Sequence, residues 1–258
     1  MLKFRKCHKM SFSYYPLYVG FGVLFFDLCL VVFMSMSLYE CLLVCVFYLL
    51  FLFFLWVKDV SFEDVSGQYS FQDYRMFRQG FRLFLFSELV LFFTVFWTFL
   101  DSSLYPVVWV GGGWCPVGVL SPSYLGLNAL ASSFLMINSQ ILKCSRRYLC
   151  YNIMLCEVLM VVCIMIGGGF VCFQIFEYGN NSFTFLDSVY GSVFYIGTGL
   201  HGGHVLIGVC FLLVNYWRIN IFHFNWYHSQ AFDMSIDYWR FLEWMWGFMF
   251  CLLYVWGS

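Results

Sequence analysis

The chain has 258 residues, of which 62% are hydrophobic and 10% charged, with a formal net charge of −1. An ordinary soluble domain carries about a quarter charged residues. Too few polar side chains remain to cover a water-facing surface, which excludes the soluble classes and leaves lipid as the main solvent.

A bilayer core of ~30 Å needs roughly 20 apolar residues per crossing helix, and seven stretches qualify. The first, Pro16–Met36, follows a basic N-terminus carrying Lys3, Arg5, Lys6 and Lys9. Its apolar run is too long for a signal peptide and no small-residue cleavage site follows, so it is expected to be a retained span. Only Ser37–Glu40 separates it from the second, Cys41–Val57, and the two should form a tight helical hairpin. Lys58–Gln79 is the longest polar segment and is expected as a loop at the inner water interface. The third span, Gly80–Leu104, is followed by an outer loop, Tyr105–Leu125. There Gly111–Gly112–Gly113–Trp114–Cys115–Pro116 predicts a sharp turn with Trp114 at headgroup depth. The fourth and fifth are Gly126–Leu142 and Tyr151–Phe176. The fifth holds Gly167–Gly168–Gly169, read as a tight packing site in preference to a hinge. After the outer loop Glu177–Val189 come Tyr190–Trp217, an interfacial loop with His223, His228 and Asp233, and the last span, Ile236–Trp256. No alternating barrel pattern occurs, so the spans are helices.

The cations orient the bundle. With seven spans, all thirteen Lys and Arg fall on the side of the N-terminus or within a turn or two of it, and the two outer loops carry none. That asymmetry is what the positive-inside rule predicts. The twelve cysteines occur without a C-x-x-C pair and mostly within spans, where a thiol behaves as a small apolar filler.

Ionisable groups inside a membrane are costly and are functional candidates. Glu88 lies about eight residues into the third span, roughly 12 Å deep at 1.5 Å per residue. It reads either as a proton-responsive carboxyl or as a neutral acid hydrogen-bonded inside the bundle. His201 and His204, in Gly197-Thr-Gly-Leu-His-Gly-Gly-His204, lie near one helical face. Two histidines without further ligands make a weak metal site, so they read as hydrogen-bonded packing residues, one of which is expected to reach Glu88. Asp237, Arg240 and Glu243 stand three apart, which predicts a charge ladder anchoring the seventh helix. Asp27 and Glu157 have no evident partner or role. Asn180–Asn181–Ser182 matches a glycosylation sequon, relevant only on the secretory route. Phosphate-binding glycine loops, nucleophile elbows and the multi-histidine helices of haem or copper sites are absent from the sequence, so no metal site and no redox centre are expected in this chain.

The stretch Asp187-Ser-Val-Tyr-Gly-Ser-Val-Phe-Tyr-Ile-Gly-Thr-Gly-Leu-His-Gly-Gly-His-Val-Leu-Ile-Gly208 resembles the sixth-helix signature of the subunit III family of haem–copper cytochrome c oxidases. Arg218 with Phe222–His223–Phe224, the ending Tyr238–Trp239 through Trp256–Gly257–Ser258, and Arg78-Gln-Gly80 through Ser87–Glu88 resemble the same family. The resemblance implies an all-α polytopic membrane protein whose seven transmembrane helices form a two-helix piece (about 16–57) and a five-helix piece (about 80–256) of a single 1–258 membrane domain. It implies a non-catalytic core subunit of the terminal oxidase that reduces O2 to water with proton translocation. Such a subunit packs mainly on subunit I, stabilising it and supporting its proton uptake, with subunit II and accessory subunits as further partners. Cytochrome c acts on the complex, not on this chain, and no nucleic acid is involved. Haem a and copper belong to partner subunits, while this chain binds phospholipid in an interhelical cleft. Glu88 matches the family's reactive membrane carboxyl, His201 and His204 its buried histidines, and Trp56, Glu63, Arg218 and His223 its lipid-lining positions. The family's paired histidines after the second helix are Gln68–Tyr69 here, and Arg240, Glu243 and Asp101 replace other family residues. These departures, with 34 Phe, point to a divergent mitochondrial lineage, in the inner membrane with the N-terminus in the matrix and the C-terminus in the intermembrane space. Subunit III of a quinol oxidase is the nearest alternative, and a free-standing transporter a more distant one.

Overall fold

The computed structural model describes residues 12–106, 114–116, 118–224 and 229–257. The four N-terminal cations, Gly111–Gly113 of the expected outer turn, and His228 lie outside them. Among the described residues there are seven α-helices and no strand: α1 Tyr15–Met36, α2 Glu40–Val65, α3 Phe71–Leu104, α4 Leu127–Tyr148, α5 Ile153–Asn180, α6 Val189–Asn220 and α7 Gln230–Met249. A π-helical tail, Phe250–Trp256, continues α7.

Each expected span coincides with a helix to within two residues at its start, except that the third and seventh spans begin inside α3 and α7 and the seventh ends in the π-helical tail, and several helices run well past their spans. The segment 58–79, expected as a loop, is helical except for Ser66–Ser70. Hydropathy marks only the part of a helix that lipid surrounds; the backbone ladder continues until a local signal ends it. For α2 that signal is Gly67, which takes a φ of 71° that an L side chain rarely adopts. For α3 it is Ser70 with Asp73. The Asp73 N–H donates to Ser70 Oγ at 3.3 Å, and the Ser70 N–H donates to Asp73 Oδ2 at 2.7 Å. This reciprocal box satisfies two donors that a helix start leaves open. Asn152 and Ser188 cap α5 and α6 in the same manner, accepting from the N–H groups of Leu155 and Gly191.

The chain divides into two compact units, Met1–Met76 and Phe77–Ser258. In the first, α1 and α2 form the expected hairpin through a left-handed Ser37, whose N–H donates to Phe33 O at 2.8 Å. The helices approach closely because Gly22 has no side chain: a Cβ there would lie 2.6 Å from Leu49 Cδ2. Cys29 and Cys45 meet between them with sulfurs 3.4 Å apart, and Tyr15 stacks on Trp56 at 6.4 Å.

In the second unit α7 is the most enclosed helix, with half of its twenty residues buried. Helix α4 presents a stripe of small and polar residues: Ala131, Ser132, Leu135, Asn138, Ser139, Leu142 and Ser145 are all buried. Small side chains let helix backbones approach, and their polar atoms bond across the contact. Asn138 Nδ2 donates to Cys163 O at 3.3 Å and Ser145 Oγ to Cys156 O at 3.0 Å, both on α5. Trp246 Nε1 on α7 donates to Ser132 Oγ at 2.9 Å. Arg146 at the end of α4 donates to Asp233 at 2.9 Å and also to Ser229, tying down the start of α7. Five of the seven helices are long and apolar enough to cross a membrane by composition alone: α1, α2, α3, α5 and α6. Helices α4 and α7 fall short because they carry more polar and charged residues, some of them turned to neighbouring helices.

Gly167 of α5 is a tight contact, as expected. A Cβ there would sit 2.7 Å from Trp239 Cη2 and 2.9 Å from Val209 Cγ2, whereas Gly168 has nothing within 4 Å. Overpacking a helix contact costs about 1–3 kcal/mol. Gly167→Ala should therefore lower the thermal unfolding midpoint of the purified protein while Gly168→Ala leaves it unchanged or raises it. Equal midpoints for the two variants would contradict this packing.

Candidate functional site

The site centres on α3 and α6. Glu88, the acid singled out in the third span, is half-buried and accepts or donates a hydrogen bond at its Oε2 with His204 Nε2, 2.8 Å away. The expected contact between the third-span acid and one of the two histidines is thus present. Phe92, one turn along α3 and fully buried, lies 5.2 Å from the His204 ring and walls the pair from the core. Tyr238 of α7 donates its phenol to His204 O at 3.2 Å, holding this turn of α6 from the other side.

The second contact of His204 decides the protonation pattern. Its Nδ1 lies 2.6 Å from Leu200 O. A carbonyl oxygen can only accept, so Nδ1 carries a proton and donates it. In the neutral ring Nε2 is then a bare acceptor, and Glu88 must supply the proton of the Glu88–His204 bond. In the charged ring Nε2 donates to a carboxylate. Both arrangements place one proton between the two side chains and give the pair no net charge.

His201, one turn earlier, behaves differently. It is fully buried, and its Nε2 faces Leu242 O at 3.3 Å. Phe170 at 5.7 Å and Trp246 at 5.0 Å enclose the ring. The three-residue spacing turns the rings about 60° apart on the helix, enough to send one toward α7 and the other toward α3. Among the described residues no three His, Cys, Asp or Glu side chains come together as a metal site.

The ladder expected along α7 forms only in its first rung. Arg240 Nη1 and Asp237 Oδ1 are 3.7 Å apart, both half-exposed. Glu243 turns inward to α4, where it accepts from the Ser139 N–H at 2.9 Å and from Ser139 Oγ at 2.6 Å. Each three-residue step also rotates around the helix, so the third member of the series reaches the buried face, and Ser139 offers it two donors. A further buried acid escaped the sequence reading. Glu177, assigned to an outer loop, sits near the end of α5 and accepts from Tyr254 Oη at 2.9 Å. Only the uninterrupted α5 helix reveals its burial, since apolar residues thin out after Phe176.

The four residues matched to lipid-lining positions are placed as follows. Trp56 stacks on Tyr15 within the first unit, and Glu63 Oε2 accepts from Tyr69 Oη at 2.8 Å. Burial, and then the hydrogen bond to Glu63, push the Tyr69 phenol well above its ordinary value. In the second unit Arg218 is buried at the end of α6, its guanidinium 4.6 Å from the Phe224 ring. His223 follows, its ring 5.9 Å from that of Trp217.

Long apolar helices with acids hydrogen-bonded between them define a polytopic helical membrane protein. A family model described as cytochrome c oxidase subunit III matches residues 5–258. The cytochrome c oxidase subunit 3 of Emericella nidulans is 31% identical over 261 residues, covering 97% of this chain and 94% of that protein. Its counterpart from Rhizopus stolonifer is 35% identical across 79% of this chain and 73% of its own length. That of Pisaster ochraceus is 34% identical, with 79% of each covered. The chain belongs to the cytochrome c oxidase subunit III family.

Two measurements check the site. In the infrared spectrum, the carboxyl band that disappears in Glu88→Gln should move in His204→Ala, because the acid loses its nitrogen partner; an unmoved band contradicts the pairing. Ser139→Ala strips Glu243 of one buried donor and should cost about 1–3 kcal/mol of stability, read as a lower denaturation midpoint.

Proposed function

We propose that this chain works as the non-redox core subunit III of a cytochrome c oxidase in the mitochondrial inner membrane. In this reading all seven helices cross the bilayer as a two-helix and a five-helix group, with the N-terminus in the matrix and the C-terminus in the intermembrane space. The chain packs on subunit I, with subunit II and accessory subunits completing the complex. Haem a and copper lie in those partners, where O2 is reduced; this chain contributes no catalytic centre. Trp56, Glu63, Arg218 and His223 help to bind phospholipid, a role supported by their match to the family's lipid-lining positions. A guanidinium suits a phosphodiester because it forms paired, charge-assisted hydrogen bonds.

The observation that carries the functional reading is the 2.8 Å contact between Glu88 and His204. A carboxyl and an imidazole joined by one hydrogen bond are suited to relay protons toward the uptake path of subunit I. It also gives that neighbour a fixed polar anchor. The two roles separate experimentally. A tagged chain, purified gently, should bring with it haem a absorption and two larger core subunits; quinol-oxidase haems or a colourless homo-oligomer would sink the assignment. In that preparation Glu88→Ala should start near wild-type turnover and then lose activity during sustained turnover. A mutant that pumps and survives like wild type makes Glu88 architectural only.

A further inference from the structure

Helix α1 carries an acid that no described residue of its own chain satisfies. Asp27 lies twelve residues into the 22-residue α1, roughly 18 Å along it at 1.5 Å per residue. That is close to the middle of a ~30 Å apolar layer. Its side chain is exposed, and among the described residues no hydrogen bond or ion pair reaches it. The face that α1 turns to α2 carries Gly22 and Cys29, its two buried residues; Asp27 points well away from both. Around it stand Val23, Leu24, Leu30 and Val31, all exposed and all without a donor. Gly20, seven residues earlier and therefore on the same face, has open space where a Cβ would be, with nothing within 4 Å. A notch of this kind permits another helix backbone to approach.

Lipid tails cannot donate to a carboxyl, and water is excluded at this depth. Acids in such positions pair with other protein groups. We propose that the Gly20–Val23–Asp27–Val31 face of α1 is a docking surface for a transmembrane helix of another subunit of the oxidase, one that presents a basic side chain at mid-membrane depth. Charge complementarity selects that occupant. A basic group gives Asp27 both a donor and a counter-charge, whereas a second copy of this chain would bring another acid. The inference rests on the reading of α1 as a bilayer span within an oxidase complex.

The test uses the intact complex purified through a tagged copy of the chain. A diazirine-bearing side chain replaces Val31, one turn from Asp27, and the preparation is irradiated. The expected result is an adduct with a transmembrane peptide of a different subunit that contains Lys, Arg or His. The adduct should fall several-fold in an Asp27→Leu background, with that subunit lost in detergent, and be partly retained in Asp27→Asn. Adducts with lipid alone, an adduct with a second copy, or undiminished retention in Asp27→Leu would each overturn the proposal. The haem a absorption of the same sample separates the two readings. Haem present with lipid-only adducts overturns only the docking surface. A colourless sample overturns the oxidase assignment and this inference together.

Discussion

A polar group left unpaired in hydrocarbon is the constraint that organises this molecule. In water an unused carboxyl or hydroxyl finds solvent at little cost; in lipid it must find protein. The second unit meets this demand by turning its polar residues toward neighbouring helices. Ser139 receives Glu243, Ser132 receives Trp246, and Asn138 and Ser145 bond to the backbone of α5. These contacts fix the approach of α4 to α5 and α7. The glycines at Gly167, and at Gly202 beside Gln174, where a Cβ would lie 2.7 Å from Gln174 Oε1, set the remaining distances.

The Glu88–His204 pair is the same constraint applied to a titratable group. An acid placed on α3 needs a partner, and α6 supplies one whose other nitrogen is already committed to Leu200. The result is a hydrogen-bonded acid–imidazole couple, enclosed by Phe92 and steadied by Tyr238. Such a couple can serve as architecture and as a proton site at once, because both uses require the same hydrogen bond. Asp27 shows the constraint unmet among the described residues.

Much of this was legible in the sequence because hydropathy reads lipid contact directly. The seven helices, the α1–α2 hairpin and the meeting of Glu88 with a histidine all follow from apolar runs, short connections and matching depth. What stayed hidden depends on direction instead of depth. Spacing brought Asp237, Arg240 and Glu243 together on paper, but rotation about α7 carries Glu243 to the buried side. Glu177 was assigned to a loop because hydropathy falls before the α5 helix ends. Likewise 58–79 looked like a loop because charged helices outside the bilayer share its composition. Ser70 and Asp73, spaced as a capping box, were the signal that could have marked a helix start there.

The most direct measurement of the central claim is solid-state nitrogen NMR of His204 in the lipid-embedded protein, with Glu88 carboxyl carbon labelled. The account predicts a protonated Nδ1 and a short-range dipolar contact between Nε2 and the Glu88 carboxyl. An unprotonated Nδ1 with no contact from Nε2 to that carbon would contradict it.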